Sequence, residues 1–438
     1  MVRRVDETIS RPAGAIAGAA SRMPSAQPRP RLLVIGPLPP PLGGVQLVMQ
    51  MQLRSSLALE FELHALDTSK RQLRWAVDNP TWKTPFYFVR DLSRLVRALL
   101  RVRPDAALVH AASGPSFLRD WVFMAIARLA GAKVLCHYHG THKRFPSGET
   151  RSGRVIGRCL MAVAHRVIAL GPTYQREMSE AWRRDDISWA PNMADVALFR
   201  DMPADTPAPW LARGDRAVLF VGRLSAPKGI YDLFEAVPQV LARHPEARFV
   251  LVGVAESDAL EPVIRAEAER RGIEPRISFL GSLEGADKAA AFVTSQMIVV
   301  PSWSEGFPLV IPEAMAAGLP VISTAVGAIP DFVEDGADGF LIAPRNPRAL
   351  ADRVCRLLDD EGLRERISRR VRRRAPREFA IEIGCGRVAE LVKGLLTDAP
   401  AAKPRSRCSR TRPHGRRRGV DRKRALHPWK WGNPKRQA

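Results

Sequence analysis

Short apolar runs punctuate this chain, and the longer segments between them return their apolar residues every three or four positions. The runs at 31–36, 61–66, 106–110, 133–137, 166–169 and 187–190 have strand length and are mostly apolar, so they read as strands of a buried sheet. Segments 45–59 and 86–103 between them have helical period. Such alternation gives a parallel sheet with helices on both faces. The pattern restarts at Ala217, with further strands expected at 249–253, 277–281, 297–300, 321–323 and 338–342, and helices at 286–294, 345–374 and 379–396. A stretch rich in Pro and Ala, 202–213, separates the two series. The expected fold class is α/β, with one doubly wound sheet within 31–200, a linker at 201–213 and a second sheet within 214–378.

Composition narrows the class without changing it. The 438 residues are 46% hydrophobic and 26% charged, as in a globular enzyme with a sizeable core. No run of about 18 apolar residues occurs, so no spanning helix is expected. In the first thirty residues a short, weakly apolar stretch at 13–20 follows a leader that mixes Arg3 and Arg4 with Asp6 and Glu7, so a disordered lead-in is expected, not a signal peptide. Cys136, Cys159, Cys355, Cys385 and Cys408 are scattered without metal spacing, which fits a reduced cytoplasm.

The net charge of +23 first suggests a nucleic-acid binder. Its distribution argues otherwise: from Lys403 to Arg436 fourteen basic residues face the single Asp421, leaving +10 for the rest of the chain. The basic segment 397–438 is broken by Pro404, Pro413, Pro428 and Pro434 and is expected to be disordered. It suits either a solubilising extension or an anionic lipid surface, where each basic residue is worth about 1 kcal/mol. The helix at 86–103 sets Phe88, Leu92, Leu95, Leu99 and Val102 on one stripe and Arg90, Arg94, Arg97 and Arg101 on another. It reads either as a core-packed helix with a solvated basic face or as one lying on an anionic membrane. Trp75, Trp82, Phe86 and Tyr87 nearby suit lipid, sugar or plain packing.

Candidate chemistry concentrates where strands hand over to helices. Residues 299–322 read VVPSWSEGFPLVIPEAMAAGLPVI, a buried strand, a loop, and a helix that begins after Pro308 and closes at Gly318. The helix start offers free N–H groups suited to a phosphate, flanked by Glu305 and Glu313. Either carboxylate alone also fits a helix start that carries Glu for its dipole. After the strand at Ala217, Arg223 and Lys228 stand beside another helix start, where a guanidinium and an ammonium can grip a diphosphate. Gly43 and Gly44 follow the first strand and let backbone approach a ligand, although no GxGxxG spacing is present. His137, His139 and His142 end another strand, but no acidic residue accompanies them and a metal site is not expected. Alternation puts His137 and His139 on one face.

The phrase containing Glu305 and Glu313 resembles the Glu-x7-Glu signature of retaining GT-B glycosyltransferases, specifically glycosyltransferase family 4 (glycosyl transferases group 1). The resemblance covers roughly 31–396, densely from about Ile187 onward. It implies two Rossmann-like domains facing a cleft, with helix 379–396 crossing back to the first. It further implies Glu305 beside the reacting sugar, Glu313 on the nucleotide ribose, and Gly306, Phe307, Leu309 and Val310 at the donor through the loop and helix start. Pro308 lacks an N–H. Gly222, Arg223, Lys228 and Gly229 match the diphosphate clamp, Gly253 opens a loop that borders the nucleotide, Gly43 and Gly44 face the cleft, and Gly327 is a contact to sugar or phosphate. His139 matches a histidine beside the donor sugar, with His142 a weaker candidate. Pro191, Asn192 and Asp195 match the motif before the domain crossing, while Met193 and Ala194 depart from it.

The expected activity is transfer of a sugar from a nucleotide diphosphate sugar to a saccharide or lipid-linked acceptor, with retention, in cell-surface or extracellular polysaccharide biosynthesis. Neither a metal nor another cofactor is expected, and nucleic acid is not an expected partner. The expected location is cytoplasmic and peripheral on the inner face of the membrane. With no second carboxylate in view, same-face attack is favoured over double displacement. A nucleotide-sugar epimerase or hydrolase would keep the clamp without an acceptor. A basic membrane- or nucleic-acid-binding protein would bind without dependence on nucleotide.

Overall fold

In the computed structural model, residues 3–4, 29–40, 43–69, 84–114, 116–140, 150–203 and 205–397 are described. Among them lie thirteen strands: β1 (Arg3–Arg4), β2 (Arg31–Gly36), β3 (Glu62–Asp67), β4 (Ala106–Ala111), β5 (Lys133–Tyr138), β6 (Arg166–Ala169), β7 (Ile187–Trp189), β8 (Arg216–Val221), β9 (Ala247–Val252), β10 (Ile277–Gly281), β11 (Met297–Val300), β12 (Val321–Thr324) and β13 (Gly339–Ile342). They form two sheets, ordered β1-β3-β2-β4-β5-β6-β7 and β10-β9-β8-β11-β12-β13. Every pairing is parallel except that of β1 with β3. The sequence pattern did not announce β1.

Each strand order explains where a ligand belongs. In the first sheet the chain leaves β2 toward β3 on one side and then crosses to β4 on the other. In the second it leaves β8 toward β9 and β10, then crosses to β11. Each sheet therefore has a switch point, β2/β4 and β8/β11, where loops diverge at the carboxyl ends and open a crevice. Residues of β4 and β11 are buried throughout, as central strands covered on both faces must be.

Two expected helices divide. The helical run 45–59 becomes Gly44–Leu53 and Leu57–Glu60, and the run 345–374 becomes Pro347–Asp359 and Glu361–Glu378. In the second case Asp360 leaves helical backbone and its side chain accepts from the Leu363 N–H, so a cap ends one helix and starts the next. Expected linker residues Met202, Trp210 and Leu211 pack on the core. The last helix, Ile381–Thr397, sets Cys385, Val388, Val392 and Leu395 into the apolar cluster of Leu32, Val34 and Val48 beside the first sheet. Just before it, the Phe379 carbonyl accepts from the Ala194 N–H at 2.9 Å, tying together the two segments that pass between the sheets. Backbone φ at Met193 is not positive, and its buried side chain fills space against Gly384.

Candidate functional site

The β8/β11 switch point brings charged residues together. After β8 the chain makes a short turn, Ala226–Lys228, ended by left-handed Gly229, where a Cβ would lie 2.1 Å from the Pro301 carbonyl oxygen after β11. That close approach carries Lys228 to Glu305: Nζ and Oε1 are 2.6 Å apart, and the Ser302 hydroxyl donates to the same oxygen at 2.7 Å. Tyr174, from the first half, donates its phenol to the Glu305 carbonyl at 2.7 Å. Burial holds that phenol above its ordinary range, so it remains a donor. Arg223 stands apart, 3.8 Å from Glu256 with both side chains about half exposed (44% and 54%). Gly253 (φ 138°) lies so close to Gly222 that a Cβ would fall 1.9 Å from its carbonyl oxygen.

Glu313 lies on the helix Val310–Ala317, whose N-cap is Leu309. It is buried, with Oε1 2.6 Å from Lys288 Nζ, while Oε2 is buried without a hydrogen-bond partner. Burial raises the Glu313 pKa above its ordinary value, against the pull of Lys288. Lys288 was not anticipated; its one outward sign is a lone cation in the otherwise small and apolar stretch AAAF that follows it.

The β2/β4 switch point is neutral by contrast. Parallel register pairs His110 of β4 with His137 of β5, and the next turn of chain brings in His139. The three rings lie 4.3 to 5.3 Å apart by centroid. One nitrogen of each lies within 4.8 Å of the others, close enough for a cation to gather, and nothing in the sequence announced His110 as a member. His142, Trp75, Trp82, residues 1–2 and 5–28 of the lead-in and the basic tail from Asp398 lie outside the described residues; residues 3–4, expected to be disordered, instead pair with β3. Burial lowers His110 and His139 well below their ordinary range and His137 to about 4, so all three are neutral near pH 7.

Contacts between the halves join these edges. A Cβ on Gly306 would lie 3.0 Å from the His139 carbonyl oxygen, and one on Gly44 would lie 3.9 Å from Leu309 Cδ1. Asn192 Nδ2 donates to the Phe307 carbonyl at 2.5 Å, while the Phe307 ring packs at 4.5 Å from Phe332. Glu305, Lys228, Gly306, Phe307, His139, Leu309 and Gly44 thus belong to one neighbourhood. Gly43, beside Gln46, and Val310, one residue beyond Leu309, flank it, whereas Arg223 and Gly253 sit on the β8/β9 side.

Residues 215–360 match the family described as Glycosyl transferases group 1. The chain is similar to an uncharacterized glycosyltransferase of Methanocaldococcus jannaschii, 36% identical over 154 residues, covering 35% of this chain and 38% of that protein. It is also similar to a D-inositol 3-phosphate glycosyltransferase of Corynebacterium glutamicum, 32% identical over 224 residues, covering 48% and 53%. The match to these curated relatives thus spans between two fifths and about half of their length. Among solved structures, Anabaena Alr3699/HepE in complex with UDP superposes with a TM-score of 0.65 at 20% identity, over 83% of this chain and 100% of that one. The chain has the GT-B fold: two doubly wound α/β sheets in a single polypeptide.

Proposed function

We propose that this protein is a retaining glycosyltransferase of the family 4 type, moving a sugar from a nucleotide diphosphate sugar to a saccharide or lipid-linked acceptor in polysaccharide biosynthesis. The observation that carries the reading is the buried Glu313 pair. One oxygen is held by Lys288 and the other is a buried acceptor without a donor. An unsatisfied buried acceptor costs about 1–3 kcal/mol, which a ligand hydroxyl would relieve. A ribose diol supplies such hydroxyls, and the family match over 215–360 supports that ligand.

In this reading the diphosphate lies against the helix start at Leu309 and the cations Lys228 and Arg223. As the glycosidic bond breaks, negative charge grows on the departing diphosphate, and fixed cations with oriented N–H groups stabilise it most in the transition state. Lys228 is held in place by Glu305 until the donor arrives. These cations fill the role a metal plays elsewhere. The acceptor hydroxyl attacks the anomeric carbon from the face the diphosphate leaves and gives its proton to the departing diphosphate oxygen.

The test is turnover and product stereochemistry with a panel of nucleotide sugars in excess chelator. Transfer with a retained anomeric configuration is the expected result. Hydrolysis or epimerisation without acceptor, inversion, or activity lost to chelator and restored by Mg²⁺ or Mn²⁺ would overturn the respective part of the reading.

Attachment to an anionic membrane surface on the cytoplasmic side is the second part of the proposal, and a specific observation favours it. Helix Thr84–Val102 exposes Phe86, Val89, Val96 and Leu100 beside exposed Arg97 and Arg101, and helix Arg151–Met161 exposes Val155 and Ile156 beside Arg151 and Arg158. Mixed apolar and cationic faces suit an interface. No described helix is long and apolar enough to cross a membrane.

A further inference from the structure

The three neutral histidines and Gln52 form one directional hydrogen-bond chain. Gln52 lies on helix Gly44–Leu53 and is buried; its Nε2 is 3.4 Å from His137 Nδ1 and its Oε1 is 2.9 Å from His110 Nε2. His110 Nδ1 is in turn 2.9 Å from His139 Nε2. A neutral imidazole carries one N–H and one bare nitrogen, so each contact dictates the next. With the Gln52 amide turned so that its oxygen faces His110, that oxygen can only accept, hence His110 donates through Nε2 and its Nδ1 is bare. A bare His110 Nδ1 requires the N–H of His139 on Nε2. The His139 Nδ1 is then a lone pair.

The same nitrogens would be a metal site if they converged on a point. Tetrahedral zinc holds its nitrogen ligands about 3.3 Å apart at ordinary bond lengths. The 2.9 Å between His110 and His139 is instead the separation of a donor and an acceptor that share one proton. His139 is the partly exposed member of the cluster, whereas His110 and His137 are buried. It is therefore the ring a ligand can reach, and its own carbonyl borders Gly306 in the loop that carries Glu305.

We propose that Gln52 and His110 are positioning residues that hold His139 in the tautomer protonated on Nε2, so that its Nδ1 accepts a hydrogen bond from a hydroxyl of the donor sugar. This inference rests on the glycosyltransferase reading for the identity of the ligand, but the tautomer itself does not. The chain acts by direction, not charge: reversing it means turning the Gln52 amide and moving a proton on all three rings together.

The experiment is nitrogen NMR on the full chain labelled with ¹⁵N-histidine, with His139 assigned by substitution, followed by kinetics. His139 in the unsubstituted protein is expected as the Nε2–H tautomer, and His110→Phe, which offers no acceptor, is expected to give the Nδ1–H form or a mixture. Donor turnover in His110→Phe should fall about tenfold, the cost of one misdirected hydrogen bond, with nucleoside diphosphate binding unchanged by calorimetry. His110→Asn, whose oxygen stands near the position of Nδ1, should recover most of both the tautomer and the turnover. An Nδ1–H or mixed His139 in the unsubstituted protein overturns the proposal, and that measurement needs no variant to fold. So does a tautomer indifferent to His110→Phe, or stoichiometric binding of Zn²⁺ to the three rings. If the tautomer is as expected and no nucleotide sugar is turned over, the positioning stands and the glycosyltransferase reading fails.

Discussion

The two switch points solve the same problem with different physics. At β8/β11, charge is used: Lys228 meets Glu305 and Lys288 meets Glu313, each at 2.6 Å. At β2/β4 the groups are neutral, and Gln52, His110 and His139 are fixed by which atom donates and which accepts. A charged pair tolerates some solvent and some misalignment, and Lys228 remains about a third exposed (35%). A neutral chain keeps its direction only while burial keeps protons off it. The contrast suits a ligand whose diphosphate end is charged and whose sugar end is a set of hydroxyls.

The comparison is broken most severely by removing a cation from each carboxylate in turn. Lys288→Met leaves Glu313 buried and unpaired, and the loss of an ion partner in a buried site costs about 3–5 kcal/mol. Equilibrium denaturation should show that loss, and Lys288→Met combined with Glu313→Met should recover stability while donor binding stays lost. Lys228→Ala, by contrast, removes a cation about a third exposed from a carboxylate that keeps the Ser302 hydroxyl, a smaller loss of about 1 kcal/mol. Its turnover should nevertheless fall about 10²–10³-fold, because the lost interaction grows in the transition state. Equal stability losses in the two single variants would erase the distinction between a structural and a functional lysine.

Acid separates the two edges by sign. Burial lowers His137 from its ordinary 6.5 to about 4, so between those values the unfolded chain holds a proton that the folded one refuses. Its contribution to stability is complete above 6.5 and is lost as pH falls toward 4. His110 and His139 act in the same direction. Glu313 acts oppositely: its raised pKa lets the folded state take up a proton first, so acid relieves it. Thermal denaturation from neutral pH toward pH 5 should show falling stability, and the slope should flatten in His137→Gln. A slope that steepens in that variant would mean the imidazoles are charged in the folded protein.

How much of this was legible in the sequence follows the same division. The strands and both switch-point loops were visible because buried parallel strands are continuous apolar runs and Pro, Gly and charged residues cluster where they end. Glu305, Glu313, Lys228 and Arg223 were visible because charge beside a helix start is a local signal. Gln52, His110 and Lys288 were not. Gln52 lies 85 residues from His137 in sequence, and the pair meets only after the first helix packs on the sheet. His110 needs the β4/β5 register to reach His137. A directional chain has no composition to betray it. The break at Asp360 was hidden as well, since helical period continues across it and a single cap divides the run.

The smallest expected change concerns the outer surface, where the halves also differ. Among the described residues, Leu59, Phe86, Val89, Val96, Leu100, Leu118, Leu129, Val155 and Ile156 are exposed large apolar side chains of the first half, against Val254, Val263 and Ile383 in the second. The helix Thr84–Val102 also departs from the expected all-basic outer stripe, because Arg90 and Arg94 turn to the buried Asp91, at 2.7 and 3.8 Å, and leave the outer face to apolar residues and Arg97 and Arg101. Phe86→Ser with Leu100→Ser should therefore change stability by about 0.5 kcal/mol or less per site, as exposed positions do. Flotation with anionic vesicles should nonetheless weaken, because each buried CH₂ contributes about 0.8 kcal/mol at an interface. Salt should weaken the remaining attraction, as screening shortens to about 3 Å at 1 M. Unchanged flotation in the double variant would assign the exposed residues no part in membrane attachment and leave the contrast between the halves confined to their inner edges.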